Sequence, residues 1–148
     1  MNETPSDMQP TMRIERIYVK DISFESPKSP HVFQKNWQPE VNMEVRTKSE
    51  AVGQDLHEVV VEVKLTGKQD DGVVMIIEVE HAGLFTIKGL SDAQLQFALG
   101  ASCPQIIFPY LRETVDGLCS RGTFPPFMMA PINFEQIFHH QQQQQKQN

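Results

Sequence analysis

Few side chains of this sequence combine the type and the spacing that catalysis or metal binding requires. The two cysteines, Cys103 and Cys119, lack the CxxC spacing of a zinc site, so we interpret them as reduced, buried thiols. The five histidines show no metal-ligand spacing, and the adjacent His139 and His140 fall in a tail that we expect to be solvated. There is no GxSxG, Walker or GxGxxG motif. We therefore expect no catalytic residue, no metal site and no cofactor, and a protein that is not an enzyme.

One group of side chains has the chemistry of a docking surface for a basic partner. Its carboxylates alternate with apolar residues along the chain, which places them on one face of a predicted sheet. They are Asp21, Glu25, Glu44, Glu58, Glu62, Glu78 and Glu80, with Ile76 as an apolar position among them. Arg46, Lys48 and Lys64 offset part of this charge. Charge alone favours an ordinary solvated face, and a docking surface is the alternative.

A second group has the chemistry of an apolar groove. Its members are aromatic and methionine side chains in irregular or short segments, which offer no long element to pack within. They are Phe33, Trp37, Phe124, Phe127, Met128, Met129, Phe134 and Phe138. Core packing is the default for each one, but their concentration in two proline-broken loops favours a pliable surface that accepts varied ligands.

Length and composition indicate one globular domain that can bury a full core, with 148 residues of which 39% are hydrophobic. The net charge of −6 contains no block of like charge, which argues against nucleic acid and anionic membranes as partners. The polar start has no signal-peptide features, and no apolar run is long enough to span a bilayer. We expect a cytoplasmic protein.

Period-two patterns predict four strands, at residues 12–25, 41–48, 58–66 and 73–81. Asp71-Gly72 predicts a hairpin, whereas the three prolines within residues 26–40 predict an irregular crossover. In the first strand the alternation predicts one face with Ile14, Tyr18, Ile22 and Phe24, and a second face with the acidic residues. That second face belongs either to a partner-covered strand or to an edge strand with guard charges.

The chain then changes to a helical period. Ser91 and Gln94 form a capping-box pattern for a short helix that ends near Gly100, and a second helix begins near Pro104 or Pro109. A last short helix follows Asn133. Strands followed by helices predict an α+β fold, a four-stranded antiparallel sheet with helices packed on one face. We expect one domain over residues 12–138, with disordered ends at 1–11 and 139–148.

Two long segments resemble the SecB family of bacterial cytosolic protein-export chaperones. They are RIYVKDISFESPKSPHVFQKNWQPEV at residues 16–41 and FPYLRETVDGLCSRGTFPPFMMAPINFEQIF at residues 108–138. The resemblance extends over about residues 12–138. It implies a homotetramer built as a dimer of dimers, which binds unfolded precursor proteins and has no ATPase activity. It also implies delivery of these clients to SecA, the motor ATPase of the translocase.

The same resemblance implies roles for individual residues. The SecA-binding surface would contain Asp21, Glu25, Ile76 and Glu78. The client groove would contain Phe33, Trp37, Val41, Met43 and Val45, with Phe134, Ile137 and Phe138 as the facing wall. The helix after Pro104 would lie in the dimer–dimer interface, and its apolar stripe is Ile107, Leu111, Val115 and Leu118.

Two readings from other functional classes stay open at this point. The loop aromatics could line one closed pocket of a small-ligand-binding or enzymatic α+β domain. The chain could also be a passive scaffold without preference for unfolded partners. The sequence does not identify the clients, and it does not say whether a tetramer dissociates in use.

Overall fold

The computed structural model describes residues 9–147, and it contains one antiparallel sheet with the strand order β1-β4-β3-β2. The strands are β1 Thr11–Glu25, β2 Glu40–Gly53, β3 Leu56–Gln69 and β4 Gly72–Lys88. The helices are α1 Asp92–Phe97, α2 Cys103–Arg121 and α3 Phe134–Gln147. The predicted α+β fold with a four-stranded antiparallel sheet is confirmed. Of the predicted disordered start, residues 1–8 lie outside the described residues, and β1 already begins at Thr11.

Strand β1 differs from the sequence prediction in which residues share a face. Its pairing with β4 shifts register between Ile14 and Arg16 and again between Val19 and Asp21. Each β-bulge inserts one residue and so inverts the alternation. As a result Tyr18 lies on the acidic face, and the helix-side positions are Ile14, Ile17, Val19, Ile22 and Phe24.

Strand β4 is longer than predicted, because it continues through His81 and Gly83 to Lys88. A Cβ atom at Gly83 would lie 2.5 Å from Cε2 of Phe85, a fully buried ring. Glycine at this position is therefore a packing requirement of the strand and not a strand end.

The crossover at residues 26–39 joins β1 and β2, which are the two edges of the sheet. It contains a short 3-10 helix, His31–Gln34, that buries Val32. The Gln38 N–H donates to Gln69 Oε1 at 2.9 Å, and Gln69 Nε2 donates to the Asn36 carbonyl at 2.9 Å. These bonds fix the crossover to the end of β3.

The two predicted central helices form one helical run. Ser91 and Gln94 make the predicted capping box, and a π-helical turn, Ala98–Ser102, joins α1 to α2 without a break. Pro104 lies in the first turn of α2 and Pro109 lies inside it, so Pro109 does not start the helix. The π turn contains Gly100, where a Cβ atom would collide with the Phe138 ring.

Helix α2 packs its apolar stripe on β3 and β4. Ile107, Leu111 and Val115 have no solvent exposure, and Leu118 is 9% exposed. These side chains fill the subunit's own core, and their assignment to an oligomer interface stays a prediction. Helical periodicity identifies an apolar face, but it does not say which surface covers that face.

The glutamine-rich tail is helical in the residues that the structure describes. Helix α3 begins where Asn133 Oδ1 accepts from the Gln136 N–H at 3.0 Å, and it continues through residues 139–147. Glutamine has a high helix propensity, so a capped helix extends through a low-complexity segment that has no apolar period.

Candidate binding surfaces

The sheet face opposite the helices brings together the four residues assigned to partner binding. Asp21 pairs with Glu80, Ser23 with Glu78, and Glu25 with Ile76. The four therefore occupy three adjacent rungs of β1 and β4, with Ile76 half-buried and the three carboxylates exposed. We call Asp21, Glu25, Ile76 and Glu78 the acidic patch.

Charge is compensated unevenly over this face. Among the described residues, Asp21 and Glu25 make no ion pair, and Glu78 is 3.6 Å from Lys64 Nζ. Lys48 Nζ, in contrast, lies 2.9 Å from Glu62 and 3.9 Å from Glu80. The acidic patch therefore contains two carboxylates, Asp21 and Glu25, whose charge no cation of the described chain compensates.

The other end of the same face is closed by a polar network. Tyr18 reaches across β4 to donate its hydroxyl to Glu58 Oε2, and Lys20 Nζ lies 3.0 Å from Glu58 Oε1. The hydrogen bond from Tyr18 lowers the pKa of Glu58, and burial followed by this bond raises the pKa of Tyr18 to about 12. Val60 and Ala82, which point to this side of the sheet, are buried. The polar side chains at this end thus have partners within the subunit, unlike Asp21 and Glu25 of the acidic patch.

On the helix side, Phe124 is the centre of an aromatic cluster. Trp37 of the crossover stacks on it with ring centroids 4.4 Å apart and an angle of 13° between the planes. Phe33 and Phe24 lie 5.8 Å and 6.3 Å away. Phe124 is 5% exposed, whereas Phe33 is 51% exposed. The cluster thus has a buried centre and an exposed aromatic rim.

The apolar row of β2 continues this rim along the edge of the sheet. Val41, Met43 and Val45 pair with the buried helix-side positions Gly67, Leu65 and Val63 of β3, so they share that face. Val41 and Val45 are half-buried, and Met43 is 37% exposed. An edge strand has no further strand to cover such a row.

Helix α3 supplies the opposite wall with two of its three expected residues. Ile137 and Phe138 are half-buried, and the Phe138 ring packs edge-on against Phe97 at 5.6 Å. Phe134 has no exposure and packs edge-on against Phe108 at 5.8 Å, so it lies beneath this wall, and its assignment to the groove stays a prediction. We call the surface formed by the remaining residues the β2 groove. They are Phe33, Trp37, Val41, Met43, Val45, Ile137 and Phe138.

One apolar surface was missed by sequence reasoning. On the helix side of β1, where α2 covers the strand only in part, four apolar side chains are 41–45% exposed. They are Met12, Ile14, Val19 and Ile22, which we call the β1 stripe. The bulges hide this stripe in the sequence, because they break the alternation that would have revealed it.

The two cysteines are buried in the fold, as structural residues are. Cys103 and Cys119 are free and buried, and burial raises the pKa of Cys103 to about 12, which keeps it a thiol. Within residues 9–147, no three His, Cys, Asp or Glu side chains are grouped as metal ligands. Over the same residues no helix is long and apolar enough to cross a membrane.

Apart from the two cysteines, His81 is the one ionisable side chain in the buried set of the described chain, at 5% exposure. Thr114 Oγ1 donates to the Tyr110 carbonyl, so the His81 Nε2–H donates to Thr114 Oγ1 at 3.2 Å. Nδ1 then has no hydrogen-bond partner among the described residues. Burial lowers the pKa of His81, and Glu113 of α2 opposes this in part. A proton on Nδ1 would create a buried donor without an acceptor.

We expect this histidine to make the fold acid-sensitive. A pKa below the ordinary value of about 6.5 means that the unfolded chain binds the proton more readily. The contribution of His81 to stability is therefore complete above about pH 6.5 and is lost as the pH falls below it. His81→Gln should remove this component, so urea midpoints at pH 7.5 and pH 5.5 should differ less in the variant. An equal acid loss in both proteins would assign the sensitivity to other groups.

The comparisons with known proteins agree with this arrangement. The family described as preprotein translocase subunit SecB matches residues 5–145. Protein-export protein SecB of Marinomonas sp. (strain MWYL1) is 47% identical over 129 residues, which are 87% of this chain and 81% of that protein. Among solved structures, a Mycobacterium tuberculosis SecB-like chaperone in complex with a ChAD peptide from the HigA1 antitoxin matches with a TM-score of 0.68. That match is 19% identical and covers 82% of this chain and 90% of the other.

These similarities define the class of the protein as that of the protein-export chaperones. The chain belongs to the SecB family, which is a family of chaperones and not of enzymes. The resemblance of residues 16–41 and 108–138 to this family is thereby confirmed.

Proposed function

We propose that this chain is an ATP-independent holdase of the cytoplasm. It binds unfolded precursor proteins in the β2 groove, keeps them competent for translocation and delivers them to SecA, which docks on the acidic patch. The observation that carries the proposal is the separation of two surfaces of different chemistry. An exposed apolar row lies on one side of the sheet, and uncompensated carboxylates lie on the other.

The open form of the β2 groove supports unfolded polypeptides as its ligands. Folded proteins bury most large apolar side chains, so an apolar surface of this kind selects chains that expose them. Each contact with half-buried residues such as Val41 and Val45 is weak. Repetition of the groove over several subunits raises the affinity by avidity, and release then needs no nucleotide.

The charge distribution supports the second part of the proposal. With a net charge of −6, the protein attracts the basic segments of clients from a distance, and salt should slow that association. The acidic patch adds a local site in which Asp21 and Glu25 lack intramolecular partners. A basic partner gains charge pairs there without displacing existing ones.

We also propose a homotetramer, a dimer of dimers. The β1 stripe lies on an edge strand, where both the strand edge and its apolar face lack a cover within the described chain. Natural proteins seldom leave such an edge free, because it promotes pairing with other chains. The exposed Tyr110 of α2 lies 6.4 Å from the His81 ring, next to this stripe. The β1 stripe and the outer face of α2 are therefore proposed as subunit contacts, in addition to the predicted α2 stripe.

Light scattering on the purified protein, alone and with a client, tests the function. The protein alone should have about four times the chain mass of 16.9 kDa. Its mass should rise with a reduced, unfolded precursor and should not rise with the same precursor in its folded form. The folded client is the matched control, because it has the same sequence and charge.

A monomer that ignores unfolded protein would contradict both the assembly and the holdase function. Equal binding of folded and unfolded client would indicate a passive scaffold instead. Saturable stabilisation by one small molecule, without client binding, would indicate a closed-pocket domain.

A further inference from the structure

The β2 groove continues beyond Val45, but the side chains that line it there are polar. The next two helix-side positions of β2 are Thr47 and Ser49, since side chains of a strand alternate between faces. They line a cavity of about 170 Å³ whose other side is the C-terminal half of α3. The floor contains Gly100 and Phe138, and Phe138 also belongs to the groove. The cavity is thus continuous with the apolar surface.

The glutamine side chains of α3 give this cavity its character. Gln141, Gln142 and Gln145 line it, opposite the hydroxyl-bearing Thr47 and Ser49. We call this space, between the three glutamines and residues 47–49, the amide slot. Side-chain amides and hydroxyls are uncharged and can both donate and accept hydrogen bonds. Lys48 also lines the cavity, but its ammonium is directed to Glu62, 2.9 Å away.

A peptide group has the same composition of hydrogen-bonding groups, with one donor and one acceptor and no charge. A slot lined by neutral amides and hydroxyls therefore complements a polypeptide main chain, whatever side chains it bears. A charged ligand would find no counter-ion among the glutamines and hydroxyls. The position of β2 at the edge of the sheet leaves room for a chain to leave the groove through this end.

We propose that the amide slot binds the main chain of the client, next to the apolar part of the β2 groove. This inference rests on the proposed holdase function and specifies which chemistry recognises the client at one end of the groove. The apolar row selects segments that expose hydrophobic side chains. The slot adds hydrogen bonds that are independent of sequence, which suits a protein with varied clients.

Helix α3 also provides a residue for a matched control. Gln144 lies on the same helix but not on the cavity lining, and its Nε2 is 3.1 Å from His140 Nε2. Alanine retains the helix at any of these positions, because its helix propensity exceeds that of glutamine. The combined Gln141→Ala, Gln142→Ala and Gln145→Ala variant removes the three α3 amides of the slot and leaves Gln96, which also lines the cavity, whereas Gln144→Ala removes an amide outside the slot.

The test uses one unstructured apolar peptide and its depsipeptide analogue, in which alternate backbone amides are replaced by esters. An ester lacks the N–H donor and is a weaker acceptor, but it leaves every side chain unchanged. We expect the analogue to bind the wild-type protein about tenfold more weakly, as for one or two lost hydrogen bonds. The triple variant should bind the parent peptide about tenfold more weakly and should not distinguish the two peptides. Gln144→Ala should behave as wild type.

Each other outcome overturns a defined part of this inference. Equal affinity of the wild-type protein for both peptides would overturn main-chain binding and leave the holdase function intact. A triple variant that still binds the parent peptide more tightly than the ester analogue would overturn the role of the three α3 glutamines in main-chain recognition. Failure of the wild-type protein to bind either peptide would contradict the proposed function itself. Circular dichroism of the triple variant excludes loss of α3 as the cause.

Discussion

Phe124→Ala is expected to lower the free energy of unfolding by about 3–5 kcal/mol, the usual cost of removing a buried aromatic ring. Three aromatic side chains from β1 and the crossover rest on this ring, and Trp37 stacks directly on it. Its loss should leave a cavity and release the crossover. Trp37 is the single tryptophan, so its fluorescence during urea unfolding reports both effects.

Client binding should weaken in the same variant, because the rim of the β2 groove loses its support. Phe33→Ala is the matched control: this ring belongs to the same cluster but is 51% exposed. It should reduce stability by less than about 1 kcal/mol, as for other truncations of exposed side chains. If Phe124→Ala lowered the free energy of unfolding as little as Phe33→Ala, the cluster would not hold the crossover in place.

Glu78→Lys is expected to weaken SecA binding by at least about tenfold while client binding stays unchanged. The new ammonium would lie beside Lys64, now 3.6 Å from the Glu78 carboxylate, and would turn one side of the acidic patch positive. Charge reversals within a contact commonly cost several kcal/mol through like-charge juxtaposition. The effect should diminish with added salt, because these side chains are exposed. Binding of SecA and of an unfolded client is measured separately by titration calorimetry.

Glu50→Lys is the control for net charge. Glu50 lies on the same sheet face but at its other end, opposite Glu58 of β3, and the charge change is identical. Equal weakening by both variants would mean that overall charge, not the acidic patch, attracts SecA. If Glu78→Lys abolished client binding together with SecA binding, the proposal that the two partners use separate surfaces would be wrong.

The regular strands were the most predictable part of the fold. In β3 and β4 the alternation of Val63 and Ile77 with the charged Lys64 and Glu78 predicted the face of each residue. The acidic patch could be placed correctly for the same reason, although the bulges of β1 moved Tyr18 to the acidic face. A bulge has no side-chain signature of its own, so sequence patterns cannot locate it.

Helical patterns were informative about burial but not about partners. Leu111 and Phe134 lie on apolar faces as expected, and both are fully buried within the subunit. The β1 stripe, with Ile14 and Ile22, is exposed instead. Only the packed structure distinguishes a buried apolar face from an exposed one, because an apolar residue looks the same in the sequence whether it faces its own core or a partner.

The thinness of the sheet has a consequence for the path of a client. Met43 and Glu44 are consecutive residues, yet one belongs to the groove and the other points to the acidic side. The four described strands are paired along their length, so a chain passes from one side to the other around a rim of the sheet. From β2 to the acidic patch on β1 and β4 this detour is about 25 Å, from strand spacings of about 4.8 Å and a layer of about 10 Å. An extended segment of roughly eight residues covers it. In the proposed function, a precursor with an unbound segment of that length can stay in the β2 groove on one side of the sheet while its end is already bound on the other side.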